Sequence, residues 1–382
     1  MSRQANRATA ATAGQPRKRR ATRATPCPPV STCDASNVIP ERLLEWFDRH
    51  GRHNLPWQHP RTPYRVWLSE VMLQQTQVSV VIDYFNRFVT ALPDLPALAA
   101  APQDQVLALW SGLGYYTRAR HLHTAAKLCV QRHAGELPRD IDALLALPGI
   151  GRSTAGAILS QAWNDPAPIL DGNVKRVLCR VFGIDGWPGT PAVEKQLWSI
   201  AETLLPRERP ADWTQAQMDL GATVCTRANP DCKACPLREA CVARAQGRTS
   251  KLPAPRAAKP LPLRETHMLI LRDGDGRVLL ERRPPVGLWA SLWSLPEQPD
   301  LEQSRRWYHC HFQSGFDQAQ PLQPLLHGFS HYKLKIQPLV IAVNVERAVI
   351  ADNGQLRWTT PAELSGLGLP APVRKLLQEP KA

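Results

Sequence analysis

From Pro40 to Gln246 apolar residues recur at helical spacing, and no stretch alternates for long as a strand does. ERLLEWFDRH runs up to Gly51, a helix-stop signal. In TPYRVWLSEVMLQQTQVSVVI, Thr62 and Pro63 read as the cap and first residue of an amphipathic helix reaching Ile82. On it Trp67, Val71, Val78 and Ile82 share one face, and Glu70, Gln74 and Gln77 form a polar stripe beside it. DQVLALWSGLG and YYTRARHLHTAAKLCVQRH are the next predicted helices. Beyond Arg264 the period changes: THMLILRDGDGRVLLERR reads as two strands around a DGDG turn, KLKIQPLVIAVNV as a later strand, and APVRKLLQE as a closing helix. The pattern predicts a mostly α N-terminal region and a smaller α/β C-terminal domain, with no internal repeat.

Composition sharpens the boundaries. Residues 1–36 form a basic tail, 37–246 the helical region, 247–264 a linker with four prolines, five basic residues and no acid, and 265–382 the second domain. The net charge of +14 and pI near 9.7 favour a polyanionic partner. Half of that excess lies in the first 33 residues, at Arg3, Arg7, Arg17, Lys18, Arg19, Arg20 and Arg23, with no acid among them. Such a tail also resembles a transit peptide or nuclear signal. The tail does not settle location, and the expectation is the cytoplasm, at the nucleoid, in a bacterium, or the nucleus or mitochondrion in a eukaryote. No apolar run is long enough to span a membrane. Nine cysteines, four of them clustered, suggest a reducing compartment and a metal site, not a disulfide framework.

Four features carry candidate chemistry. Leu147 to Gly151, LPGIG, joins two helical stretches; a glycine-rich turn followed by a helix N-terminus can grip a phosphate, although a plain helix connection explains it equally well. Asp171 and Asn173 follow the rigid loop DPAPIL, where an acid is more often a helix cap than a catalyst. Cys225, Cys232, Cys235 and Cys241 are separated by six, two and five residues, which satisfies the ligand count of a [4Fe–4S] cluster or a tetrahedral zinc. Spacing alone does not choose between them. A carboxylate such as Glu70, at the edge of an apolar face, can hold its proton near neutrality.

Together the turn, the Asp171 loop and the cysteines resemble the helix–hairpin–helix DNA glycosylase superfamily, endonuclease III branch. WLSEVMLQQTQV, WSGLGYYTRAR, LPGIGRSTAGAIL and ILDGNVKRVL resemble its MutY-type adenine DNA glycosylases, over roughly residues 40 to 380. The resemblance implies a monomer with one [4Fe–4S] cluster. It would flip adenine paired with 8-oxoguanine or guanine out of duplex DNA and hydrolyse its N-glycosidic bond. Glu70 matches the general acid, Asp171 the carboxylate that stabilises the sugar cation, and Asn173 the residue that orients it. Arg52, Trp57, Gln215 and Asp219 match the adenine pocket, with Trp67 a further aromatic beside it. Gln74, Tyr115, Leu147, Gly149, Gly151 and Ser153 match DNA contacts. Ser153 also stands where bifunctional relatives carry a lysine, so strand cleavage through a Schiff base should be absent or slight. The cysteine loop, remote from Glu70 in sequence, is expected to serve folding and DNA binding first, with Arg227, Lys233 and Arg238 near phosphate.

The C-terminal domain resembles the MutT-like (Nudix-fold) domain of the same family. Nudix hydrolases hold metals on a glutamate run that is missing here, since Pro296 to Leu326 carry only Glu297, Asp300, Glu302 and Asp317 as acids. The domain should bind without hydrolysing, with Phe329, Ser330 and His331 matching the loop that recognises 8-oxoguanine. A glycosylase/lyase for oxidised pyrimidines is opposed by Ser153. A nucleotide-pool hydrolase is opposed by the absent glutamates, and a non-enzymatic iron–sulfur DNA-binding protein by Glu70 and Asp171.

Overall fold

A computed structural model describes residues 32–257, 260–312, 315–343 and 354–378. Twelve helices build the first region: α1 Thr32–His50, α2 Pro63–Leu73, α3 Val78–Ala91, α4 Leu95–Ala100, α5 Gln103–Leu109 and α6 Thr117–Arg132, then α7 Ile141–Leu145, α8 Arg152–Trp163, α9 Gly172–Val181, α10 Pro191–Thr203, α11 Pro210–Asp219 and α12 Val242–Ala245. Helix α1 starts five residues inside the segment assigned to the tail, and residues 1–31 lie outside the described residues.

The predicted helix from Thr62 to Ile82 is two helices. Thr62 caps α2 as expected, accepting from the Arg65 N–H, but α2 ends at Leu73 and α3 begins at Val78. The cause is a long-range contact. Arg118 of α6 pushes its guanidinium against the open end of α2, donating to the carbonyls of Val71, Met72 and Gln74 at 2.8, 2.9 and 2.6 Å. A cation that satisfies these last carbonyls removes the incentive to continue the helix. Gln74 and Gln77 therefore lie on a connecting loop, with Gln75 left-handed at φ 60°, and not on a helical stripe. The predicted helix over DQVLALWSGLG also ends early, at Leu109. Gly112 and Gly114 take positive φ, and the Trp110 indole N–H donates to the Gly114 carbonyl.

Two apolar cores flank the site. One gathers Trp67, Phe85, Phe88 and Trp110; the other gathers Leu43, Phe47, Leu178 and Trp213. Helix α8 runs between them, with Ile158 in the first and Ala157 in the second. It is buried on all sides from Ala155 to Gln161. Gly156 permits this, since a Cβ there would sit 2.3 Å from the Pro168 carbonyl oxygen.

Beyond the linker, strands β1 Leu263–Arg272, β2 Val278–Arg282, β3 Trp293–Ser294, β4 Glu297–Gln298, β5 Gln320–Pro321, β6 Leu325–Gly328, β7 Lys333–Ala342 and β8 Leu356–Thr359 form one mixed sheet. β1 and β7 run parallel at its centre, and β2 returns antiparallel from the DGDG turn. Helices α13 Leu301–His311 and α14 Ala371–Gln378 cover opposite faces, through Tyr308 and through Val373 and Leu376. The end of the predicted strand KLKIQPLVIAVNV, past Val343, lies outside the described residues. The domain docks on the helical region. Tyr116 Oη donates to the Leu369 carbonyl at 2.8 Å, Arg282 pairs with Asp104 at 2.8 Å, and Leu292 is buried in the helical region's first core.

Replacing Arg118 with Ala strands three carbonyls at a helix end. We expect a loss of about 2–3 kcal/mol in urea unfolding. A change below about 0.5 kcal/mol would show that α2 ends at Leu73 for another reason.

Candidate active site

A cavity of about 700 Å³ opens among α2, α8, α9 and α11. Its lining brings together Glu70, Asp171, Asn173, Arg52, Trp57 and Gln215, together with Gln74 and Ser153. These residues lie as far as 163 positions apart, from Arg52 to Gln215.

Glu70 sits half-buried near the end of α2. Burial, joined by the charge of Asp171, pushes its carboxyl up to about 7, against a hydrogen bond from the Gln161 amide to Oε1 at 3.1 Å. Gln161 is 4% exposed and was missed from sequence, where it is an unremarked polar residue of a helix. Asp171 is both cap and cavity residue. Its Oδ1 accepts the Val174 N–H at 2.8 Å as the N-cap of α9, and its Oδ2 accepts from the Asn173 amide at 3.3 Å. Burial raises its pKa, opposed by the backbone N–H groups of Val174 and Asn173 and by the charge of Arg176. One acid in a dry place and one at a helix N-terminus make an unequal pair.

Arg52 lines the cavity beside them, and Asp219, matched to the adenine pocket in the sequence, is 1% exposed and holds Arg52 without lining the cavity itself. Arg52 donates through Nε and Nη2 to Asp219 Oδ1 at 2.8 and 2.6 Å, and its backbone N–H reaches Oδ2 at 2.7 Å. Gln215 donates to the same Oδ1 at 2.7 Å, which leaves its own buried Oε1 without a partner. Ser153 Oγ accepts the Leu170 N–H at 3.0 Å and so fixes the loop that delivers Asp171.

The remaining residues divide by place. Leu147 is 4% exposed with its side chain in the first core, and the Ile150 N–H donates to its carbonyl; the apolar spacing of IDALLAL continues into the turn and buries it. Gly149 turns at φ 83°, where a Cβ would meet His121 at 2.8 Å. Gly151 is exposed as the N-cap of α8 with no side-chain cap bond, which leaves first-turn N–H groups for a ligand. Trp67 is fully buried and borders a smaller neighbouring cavity with Gln74, Tyr115 and Gly149. Tyr115, half-exposed at φ 48°, also lines a cavity of about 630 Å³ between the domains, opposite Phe329, Ser330 and His331.

Cys225, Cys232, Cys235 and Cys241 line one cavity after a π-helical turn at Leu220–Val224, and all four thiols are free. Among the described residues no three His, Cys, Asp or Glu converge to hold a single metal ion. The thiols surround a space without meeting at a point. Arg180, 2% exposed, donates to Cys225 Sγ at 3.3 Å and to the carbonyls of Thr226, Arg227 and Leu252 at 2.7, 3.0 and 2.8 Å. Among the described residues no carboxylate bonds it. A buried cation without an acid calls for another anion, and deprotonated thiols around an iron–sulfur cluster fit that demand. The site is not remote from the carboxylates, as sequence distance implied. Arg176 donates to the Cys225 carbonyl and to Asn173 Oδ1, both at 2.8 Å, and Asn173 bonds Asp171. Gly221 closes the joint, since a Cβ there would meet Asn173 at 2.6 Å.

Hairpin, carboxylate cavity and sheet domain define a helix–hairpin–helix base excision glycosylase with a Nudix-fold domain appended. Residues 68–203 match the HhH-GPD superfamily of base excision DNA repair proteins, and residues 267–379 match a NUDIX domain. The chain is 35% identical to adenine DNA glycosylase of Buchnera aphidicola (subsp. Acyrthosiphon pisum) over 341 residues, 89% of this chain and 97% of that one. It is 36% identical to adenine DNA glycosylase of Mus musculus over 396 residues, 88% of this chain and 76% of that one. A solved thermostable thymine-DNA glycosylase, 27% identical, superposes with a TM-score of 0.52 over 57% of this chain and all of its own. The chain belongs to the adenine DNA glycosylase family. It hydrolyses the N-glycosyl bond of adenine in DNA during base excision repair. Among the described residues no helix is long and apolar enough to cross a membrane.

The displaced titration of Glu70 has a consequence for stability. Its folded pKa lies above the unfolded value of 4.5, so the fold favours the protonated acid. That contribution is complete below the unfolded pKa and is lost as pH rises to about 7, by up to about 3 kcal/mol. Glu70→Gln should therefore gain stability relative to the native protein between about pH 5 and pH 8 in thermal melts. A difference that stays constant with pH would contradict the buried acid.

Proposed function

We propose that Glu70 is the general acid and Asp171 the charge-stabilising carboxylate of adenine excision opposite 8-oxoguanine or guanine. The observation that carries this reading is their shared cavity, where Glu70 keeps a proton near pH 7 while Asp171, also pushed up by burial, takes backbone N–H bonds that oppose that rise. Glu70 delivers its proton to N7 of the flipped adenine. The C1′–N9 bond then breaks with its electron pair leaving on the base, and Asp171 balances the positive sugar. Water adds to C1′ and returns a proton to the Glu70 carboxylate. Gln215, with its unpartnered Oε1, and Arg52, held by Asp219, border the adenine; the open N–H groups at Gly151 take a phosphate. Ser153 offers no amine, so the reaction ends at hydrolysis, and a monomer suffices.

The four cysteines hold one [4Fe–4S] cluster in this reading, a better match than zinc for thiols that ring a space. When bound it supplies a rigid, charge-balanced scaffold for the loop that Arg176 ties to Asn173. Phe329, Ser330 and His331 read the oxidised base on the opposite strand, supported by the cavity they share with Tyr115. Adenine is a normal base, so mispairing has to be sensed there.

Glu70→Gln and Asp171→Asn should each bind duplex and lose about 10²–10⁴-fold in single-turnover excision on A:8-oxoguanine. Asn is itself a good N-cap, so the second variant removes charge without removing the cap. Near-native excision by either would refute its role. Borohydride should trap no covalent enzyme–DNA adduct, and a trapped adduct would mean that another amine replaces the missing lysine. Protein purified without air should carry four irons, lost in Cys232→Ser; stoichiometric zinc would overturn the cluster assignment. Ser330→Ala should cost A:8-oxoguanine about 1–3 kcal/mol more than A:G. Equal losses would reduce the loop to general affinity.

A further inference from the structure

Trp289 sits at the seam of the two domains in a costly backbone conformation. Within the loop Gly287–Ser291, Gly287, Trp289 and Ser291 all take left-handed backbone, at φ 92°, 53° and 62°. Glycine accepts that freely; a tryptophan does not, and such strain persists only where surrounding contacts impose it. Here they do. Ser291 N–H bonds the Pro284 carbonyl at 3.0 Å, Leu292 N–H the Trp289 carbonyl at 3.0 Å, and Leu292 is buried in the catalytic region's core. The half-buried Trp289 ring packs against that core and the core of the sheet domain at once. Its centroid lies 5.7 Å from Phe329 and 6.1 Å from His327, and Phe329 and His327 are 4.6 Å apart.

The same loop is tied to the catalytic region by one cation. Arg120 Nη1 donates to the Ala290 carbonyl at 2.7 Å. Arg120 belongs to α6, which begins just after Tyr115 and two residues earlier carries Arg118, the guanidinium that closes the end of α2. Phe329, Trp289, the Ala290 carbonyl, Arg120, α6, Arg118 and α2 are thus in unbroken contact. Glu70 lies on α2, three residues before its end. Tyr115 and Trp289, both left-handed, line the same cavity.

We propose that Trp289 is a positioning residue that holds the Phe329–Ser330–His331 loop at a fixed distance from Tyr115 and α6, so that recognition of the opposite base sets the rate of adenine excision. This rests on the reading of that loop as the 8-oxoguanine contact. Nothing in the role requires Trp289 to touch the reacting adenine. A smaller side chain removes the ring that packs on both cores and so relaxes the spacing, and the loop then binds the oxidised base without registering it to the catalytic half.

The test is single-turnover excision on A:8-oxoguanine and A:G by the full chain, with thermal melts alongside. Trp289→Leu should lower the A:8-oxoguanine rate constant tenfold or more and A:G by less, so that the preference narrows. Trp289→Phe should restore at least half of it. In a cycle with Ser330→Ala the losses of preference should not add, because both changes break one coupled unit. Should Trp289→Leu fail to fold, Arg120→Met keeps the ring and removes the tie to Ala290, and it should narrow the preference likewise. Equal losses on both substrates, additive losses, or an unaltered preference in the folded variants would overturn the role of Trp289. If Ser330→Ala narrows the preference and the Trp289 and Arg120 variants do not, the loop reading survives and this inference fails. If Ser330→Ala leaves the preference unchanged, both fall.

Discussion

Bringing two carboxylates into one half-buried cavity costs free energy, since each loses water and each repels the other. The arrangement around Glu70 and Asp171 meets this cost unequally. Asp171 closes a helix N-terminus and takes N–H and amide donors, whereas Glu70 receives a single amide from Gln161. The neutral form is therefore favoured at Glu70, where a proton is to be delivered. Much of the helical region serves this asymmetry. Helix α8, buried between two cores, carries both Gln161 and Ser153, so one rigid element supports the acid and the loop of its partner.

Local and distant constraints separate cleanly in how far the sequence could be read. Gly151 after the LPGIG turn, the Thr62 cap and the DGDG turn depend on a few adjacent residues, and the helices and strands around them follow the periodicity. The break after Leu73 depends on Arg118, 45 residues away, and leaves no local mark in LQQTQV. Leu147 sits in the glycine-rich turn, yet its apolar side chain belongs to the core. Gln161 looks like any polar residue of a helix until the fold turns it toward Glu70. Glu70, Gln74, Ser153, Asp171 and Asn173 were nevertheless legible through resemblance, because the motifs that match the family carry them, whereas lining residues such as Leu55, Met218 and Ala222 were not.

The cysteine site was the least legible in its consequences. Its four thiols run from Cys225 to Cys241, far along the chain from Glu70, yet Arg176 reaches both the Cys225 carbonyl and Asn173. Arg180 adds a bond from the same loop to Leu252, where the chain leaves the catalytic region. Two arginines one helical turn apart on α9 thus join the thiol site to the carboxylate pair on one side and to the linker on the other.

The proposed excision at this site depends on Glu70 holding a proton near neutrality because it is buried beside a second charge. A ¹³C NMR titration of the Glu70 carboxyl in the DNA-free protein measures this directly. The midpoint should lie at about 7 and move down in Asp171→Asn, where the neighbouring charge is gone. A midpoint at the ordinary glutamate value of about 4.3, or one indifferent to Asp171, would contradict it.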